Sequence, residues 1–166
     1  MDADTLRQLQ RPLKERYRAE PSSALITLRA EGTLADNDVS CSVQTGRALV
    51  EAGLHPATGG DGTLACSGDM LLEALVACAG VTLRSVATNR GINVSGTVHV
   101  EGDLDFRGTL GVDRSAPIGF RSIRLSFDLE SDATADELDA LIDATRHYCV
   151  VFQTLAQSPA LSLVRN

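Results

Sequence analysis

The order of elements along the 166 residues predicts an α+β fold. Three observations carry that prediction. A nearly all-apolar helical segment fills the middle of the chain, between Ser67 and Arg90. Two alternating strands follow it, Ile92 to Val100 and Ile123 to Leu129. A further helix then opens on the pair Thr134 and Glu137, which have the spacing of a capping box.

Taken in order, residues 4 to 18 place Leu6, Leu9, Leu13 and Tyr17 at helical spacing, and Pro12 is expected to kink or end that helix. Its basic residues read as a solvated face. Pro21-Ser-Ser is a break. Residues 1–20 are therefore taken as a helical arm and 21–166 as a single domain. Ala24 to Arg29 and Val39 to Val43 are expected strands, with Asp36-Asn-Asp38 as the turn between them. Gly53 to Thr63 is a loop by composition.

In the central helix Ser67 suits the N-cap, Asp69 suits the first turn, and Gly91 can close the end. Met70, Leu71, Leu72, Leu75, Val76, Val81, Leu83 and Val86 leave little polar face, which predicts burial on most sides. Gly80 costs about 1 kcal/mol against alanine in a helix interior, and close backbone packing would account for it. Gly108 to Gly119 forms a turn-rich connection between the two alternating strands. In the capping-box helix Leu138, Leu141, Ile142 and Thr145 share one face, and Cys149 returns to it. Pro159 precedes an expected last strand, Ala160 to Val164.

Composition excludes several function classes. The net charge of −7 and a pI near 4.9 argue against a nucleic-acid partner. The charge-free run Ala74 to Leu83 is short for a membrane span, which needs roughly 20 residues. The acidic N-terminus lacks the apolar core of a secretory signal, so a cytoplasmic location is expected, where thiols stay reduced unless they do redox work. Four cysteines with no C-x-x-C pair give neither a disulfide framework nor a zinc knuckle. No spacing of His55, His99, His147 and the cysteines supports a metal site, and Gly59-Gly-Asp-Gly lacks the lysine of a phosphate loop. No cofactor is expected.

The chemistry rests on cysteine. Cys78 lies in the apolar helix, and Cys149 follows 71 residues later in Arg146-His-Tyr-Cys-Val-Val-Phe. A thiol on a core-facing surface is either inert filling or a reactive group shielded from water. His147 suits the C-terminal end of its helix as a cation. Cys41 reads as strand filler and Cys66 as a loop thiol.

The segment Ser67-Gly-Asp-Met-Leu-Leu-Glu-Ala-Leu-Val-Ala-Cys78 resembles the first cysteine helix of the OsmC/Ohr family, P-x-E-L-L-x-A-A-L-x-x-C. Tyr148-Cys149-Val-Val-Phe-Gln-Thr-Leu is similar to its second motif, C-P-V-x-x-x-L, with Val150 in place of the proline. The likeness covers roughly residues 24 to 165. It implies an OsmC-like fold with two long central helices packed on antiparallel sheets, assembled as an intertwined homodimer. It implies a peroxidase reducing organic hydroperoxides, with Cys78 peroxidatic and Cys149 resolving, re-reduced by a dithiol such as a lipoylated protein. The family activates its cysteine with an arginine held by an acid. Asp69 stands near the place of the acid, but nine residues before Cys78, on the opposite side of an ideal helix. Arg29 is the candidate arginine and Arg47 a weaker one. Two other readings stay open: a non-enzymatic binding protein for a small apolar ligand on the same fold, and a hydrolase using Cys149 and a histidine.

Overall fold

Thr134 and Glu137 satisfy each other's backbone donors. Glu137 N donates to Thr134 Oγ1 at 3.3 Å and Thr134 N donates to Glu137 Oε2 at 2.8 Å. This is the predicted capping box, and it opens helix α4, Ala135–Tyr148. The computed structural model describes residues 2–20, 31–34, 40–44, 49–111 and 113–165. Its other elements are helix α1 (Ala3–Ala19), strands β1 (Glu31–Leu34), β2 (Ser40–Gln44), β3 (Leu49–Gly53) and β4 (Ala65–Cys66), helix α2 (Ser67–Arg90), strand β5 (Val94–Asp103), helix α3 (Phe106–Thr109), strand β6 (Ser122–Ser131) and helix α5 (Val150–Ala156). The expected strand Ala24 to Arg29, the break after Pro21 and the turn at Asp36 to Asp38 lie outside the described residues.

The chain packs as two compact units. One comprises residues 1–14, 74–99 and 125–166; the other comprises 15–73 and 100–124. In the first, Leu83 and Ala87 of α2, Val94 of β5 and Leu141 of α4 form the core. Ile92, Phe127, Leu129 and Leu138 pack against it. The alternation read from β5 and β6 is thus a real inner face, and the α4 stripe meets it. The two strands pair with each other. Gly96 is required within this pair: it has φ +127, and a Cβ there would lie 1.9 Å from Asp128 O.

In the second unit the sheet order is β1-β2-β3-β4, antiparallel except for the β3–β4 pair, which is parallel. Two of its strands, Glu31–Leu34 and Leu49–Gly53, have too little alternation to be read from sequence. The stretch read as a loop also contains a 3₁₀ turn at Pro56–Thr58, with the His55 ring accepting from Ala57 N.

Several expectations are corrected. Pro12 does not end its helix, for α1 runs on to Ala19. Ser67 is the first helical residue rather than a cap outside it. Helix α2 buries one stripe, Leu75, Ala79, Leu83 and Ala87, and not most of its surface; Val81 is 71% exposed. The described residues pack against one side of the helix. Among the described residues a side chain at Gly80 would meet nothing closer than Val98 Cγ2 at 3.8 Å, so no described backbone crowds it. By length and composition α2 is apolar enough to cross a membrane, which the ten-residue charge-free run had not suggested, because the charges at its margins are few. Finally, Ala160 to Val164 is not a strand. It has no sheet neighbour among the described residues, and Leu161 and Leu163 are almost fully exposed.

Candidate active site

The second cysteine sits where the chain breaks. Cys149 ends α4 and begins α5, with ψ 107 in the extended region. Its N–H donates to Thr145 O at 2.9 Å and closes the first helix. Its sulfur accepts from Phe152 N at 3.5 Å and opens the next. The first amides after such a break have no carbonyl partner within the helix and must find one elsewhere. Those of Val150 and Val151 lie near the sulfur of Cys78 and favour its thiolate.

Cys78 is placed by the α2 stripe. It is one residue before the fully buried Ala79, on the edge of the packed face, and is itself half-buried. Cys149 is fully buried. The Cys149 thiol and the hydroxyl of Thr82, one turn further along α2, lie beside the Cys78 sulfur and favour its thiolate. Cys78 and Cys149 lie within one unit of the molecule, close enough for each to act on the other's proton.

Their electrostatics diverge. Burial pushes the Cys78 thiol up, but the Val151 amide, the Cys149 thiol, the Thr82 hydroxyl and the Val150 amide together outweigh it, and the thiol lies below its ordinary value. Cys149 is pushed above its ordinary value. Burial is the main cause, and proximity to Cys78 adds to it against the opposing Phe152 amide. One thiol is thus biased toward the thiolate and its neighbour toward the protonated form. That is the division of labour a nucleophile and a proton-bearing partner require.

The remaining candidates fall elsewhere. Asp69 is exposed in the first turn of α2, about 13 Å of helical rise from Cys78; its position suits the helix N-terminus. Arg29 and Arg47 lie outside the described residues. Cys66 is a half-buried free thiol in β4. His147 is exposed with its ring edge-on to Tyr148 at 4.7 Å, whereas Cys149 is buried. Two contributors were missed from sequence. Thr82 was legible in principle, four residues after Cys78 on the same helix. The Val150 and Val151 amides carry no side-chain signature at all.

The model of the family described as OsmC-like protein matches residues 60–164, which includes both cysteines. The chain belongs to the OsmC-like family. None of the curated proteins matches its sequence. Solved structures share the OsmC-like fold at low identity. An OsmC-like protein from Mycoplasma pneumoniae is 19% identical with a TM-score of 0.66, over 80% of this chain and 89% of that one. An organic hydroperoxide resistance protein from Legionella pneumophila is 17% identical with a TM-score of 0.55, over 80% and 90%. Another, from Elizabethkingia anophelis, is 16% identical with a TM-score of 0.57, over 81% and 91%.

Proposed function

We propose that this OsmC-like chain is a thiol peroxidase that reduces organic hydroperoxides. The observation that carries the reading is the contact between Cys78 and Cys149, with their acidities displaced in opposite directions. Structural relatives named for organic hydroperoxide resistance support it.

The Cys78 thiolate attacks the terminal oxygen of the hydroperoxide. The O–O bond breaks, the sulfur becomes a sulfenic acid, and the alkoxide takes a proton and leaves as an alcohol. The Cys149 thiol then attacks the sulfenic sulfur. A disulfide forms and the hydroxyl leaves as water. An external dithiol, of the lipoyl class, reduces the disulfide and is itself oxidised. The amides of Val150 and Val151 and the Thr82 hydroxyl do for the thiolate what the family assigns to an arginine.

The working unit is a homodimer, supported by the uncovered side of α2, where Val81 and Leu71 are exposed. Helix α2 acts as a core helix and not as a membrane span, since its Leu75–Ala87 stripe is already packed in protein. The protein works in the cytoplasm, where a reducing pool can return the disulfide to thiols.

The test is a thiol titration after one equivalent of cumene hydroperoxide. Rapid loss of two thiols, abolished in Cys78→Ser, supports the reading. An unchanged thiol count overturns it in favour of a ligand-binding role.

A further inference from the structure

Helix α4 stops at Cys149, although the residue that follows does not force it to. A proline after Cys149 would enforce the stop, having no N–H to give back to the preceding turn. This chain has Val150, whose N–H could donate to Arg146 O and carry α4 straight on into α5. The last carbonyls of α4 must then be satisfied from outside the helix, or the ladder resumes.

Two side chains stitch the break. The Cys149 sulfur accepts from Phe152 N at 3.5 Å, in place of Tyr148 O, the carbonyl that a continuous helix would offer. Gln153 Nε2 donates to Arg146 O at 2.8 Å, on the carbonyl that the Val150 amide would otherwise take. That bond crosses from α5 back to α4. On either side of it the ladder is regular: Cys149 N donates to Thr145 O and Gln153 N to Cys149 O, both at 2.9 Å. The Val150 and Val151 amides are left over, and they lie near the Cys78 sulfur.

We propose that Gln153 is a positioning residue: its side-chain amide occupies Arg146 O, which keeps α4 from running on into α5 and leaves the Val150 amide turned toward Cys78. Cys149 is consumed in the disulfide step, whereas Gln153 takes no part in the chemistry and holds the break throughout. The positioning role stands on the hydrogen bonds at the break; its consequence for peroxide reduction rests on the function proposed above.

The experiment is iodoacetamide labelling of Cys78 against pH in the full-length reduced protein. Gln153→Met keeps the length of the side chain and removes the donor. The labelling midpoint is expected to rise by about half a pH unit, as loss of one hydrogen-bond donor to the thiolate would give. Val150→Pro, tolerated at the first position of a helix, removes an amide from Cys78 and also raises the midpoint. In that background Gln153→Met adds nothing, because the amide that Gln153 diverts is gone and the proline holds the break. A side chain that only stabilised α5 would act independently, and the two shifts would sum. A midpoint that Gln153→Met leaves unmoved or lowers, or shifts that sum in the double variant, overturns the inference. These readings use no peroxide. A raised midpoint in Gln153→Met, with no thiol loss from the parent to cumene hydroperoxide, upholds the role of Gln153 and removes the peroxidase reading. Thiol loss with an unmoved midpoint does the reverse.

Discussion

The Cys149 thiol lies beside the sulfur of Cys78, across 71 residues of sequence, and lowers that sulfur's affinity for its proton. The chain break that makes Cys149 both the end of α4 and the start of α5 also frees the amides of Val150 and Val151 for the same sulfur. Acidity at Cys78 is therefore a product of where the helix stops.

Alkylation should read this directly. The thiolate fraction grows as pH rises through the thiol's pKa, so a lowered value moves reactivity to lower pH. Iodoacetamide should label Cys78 with a midpoint below the ~8.5 of a free cysteine, and before Cys149. Replacing the donor in Cys149→Ala should raise the midpoint, and Cys149→Ser, which keeps a hydroxyl, should raise it less. Labelling of Cys78 at or above the free-cysteine midpoint would count against the arrangement.

Thr82 offers an independent check. Thr82→Val keeps the shape and removes the hydroxyl donor to Cys78. The midpoint should rise, and oxidation of Cys78 by cumene hydroperoxide at neutral pH should slow by several-fold, each pKa unit being a factor of about ten in thiolate below the midpoint. Thr82→Ser should behave like the parent. A rate indifferent to both changes would remove Thr82 from the site.

The intermediate can be trapped. In Cys149→Ser the thiol beside Cys78 is gone, so treatment with hydroperoxide should leave Cys78 as a sulfenic acid that dimedone captures, one adduct on Cys78 by mass spectrometry. The parent protein should give the disulfide and little adduct. Dimedone labelling of the parent at the level of the variant would sever Cys149 from the resolving step.

Stability should follow the local contacts. Thr134→Ala removes the cap that holds Glu137 and should cost about 1 kcal/mol, read as a lower midpoint in urea. Leu141 is fully buried between α2 and β5, and Leu141→Ala should cost about 2–5 kcal/mol. Gly80→Ala should be neutral or stabilising, since the nearest atom in this chain is at ordinary contact distance. Marked destabilisation by Gly80→Ala, growing with protein concentration, would reveal a neighbour from a second copy.

Local chemistry determined much of this protein. The Thr134–Glu137 pair wrote the start of α4, alternation wrote the inner faces of β5 and β6, and helical periodicity returned Cys149 to the core side of α4. These signals act over a few residues, so a single sequence displays them. The tertiary structure alone decided the rest: that α1 runs through Pro12, that α2 buries one stripe, that Ala160 to Val164 finds no sheet, and that two backbone amides reach Cys78. Burial and hydrogen-bond satisfaction depend on which distant segments arrive, and an amide is the same in every residue except proline until the fold gives it a partner.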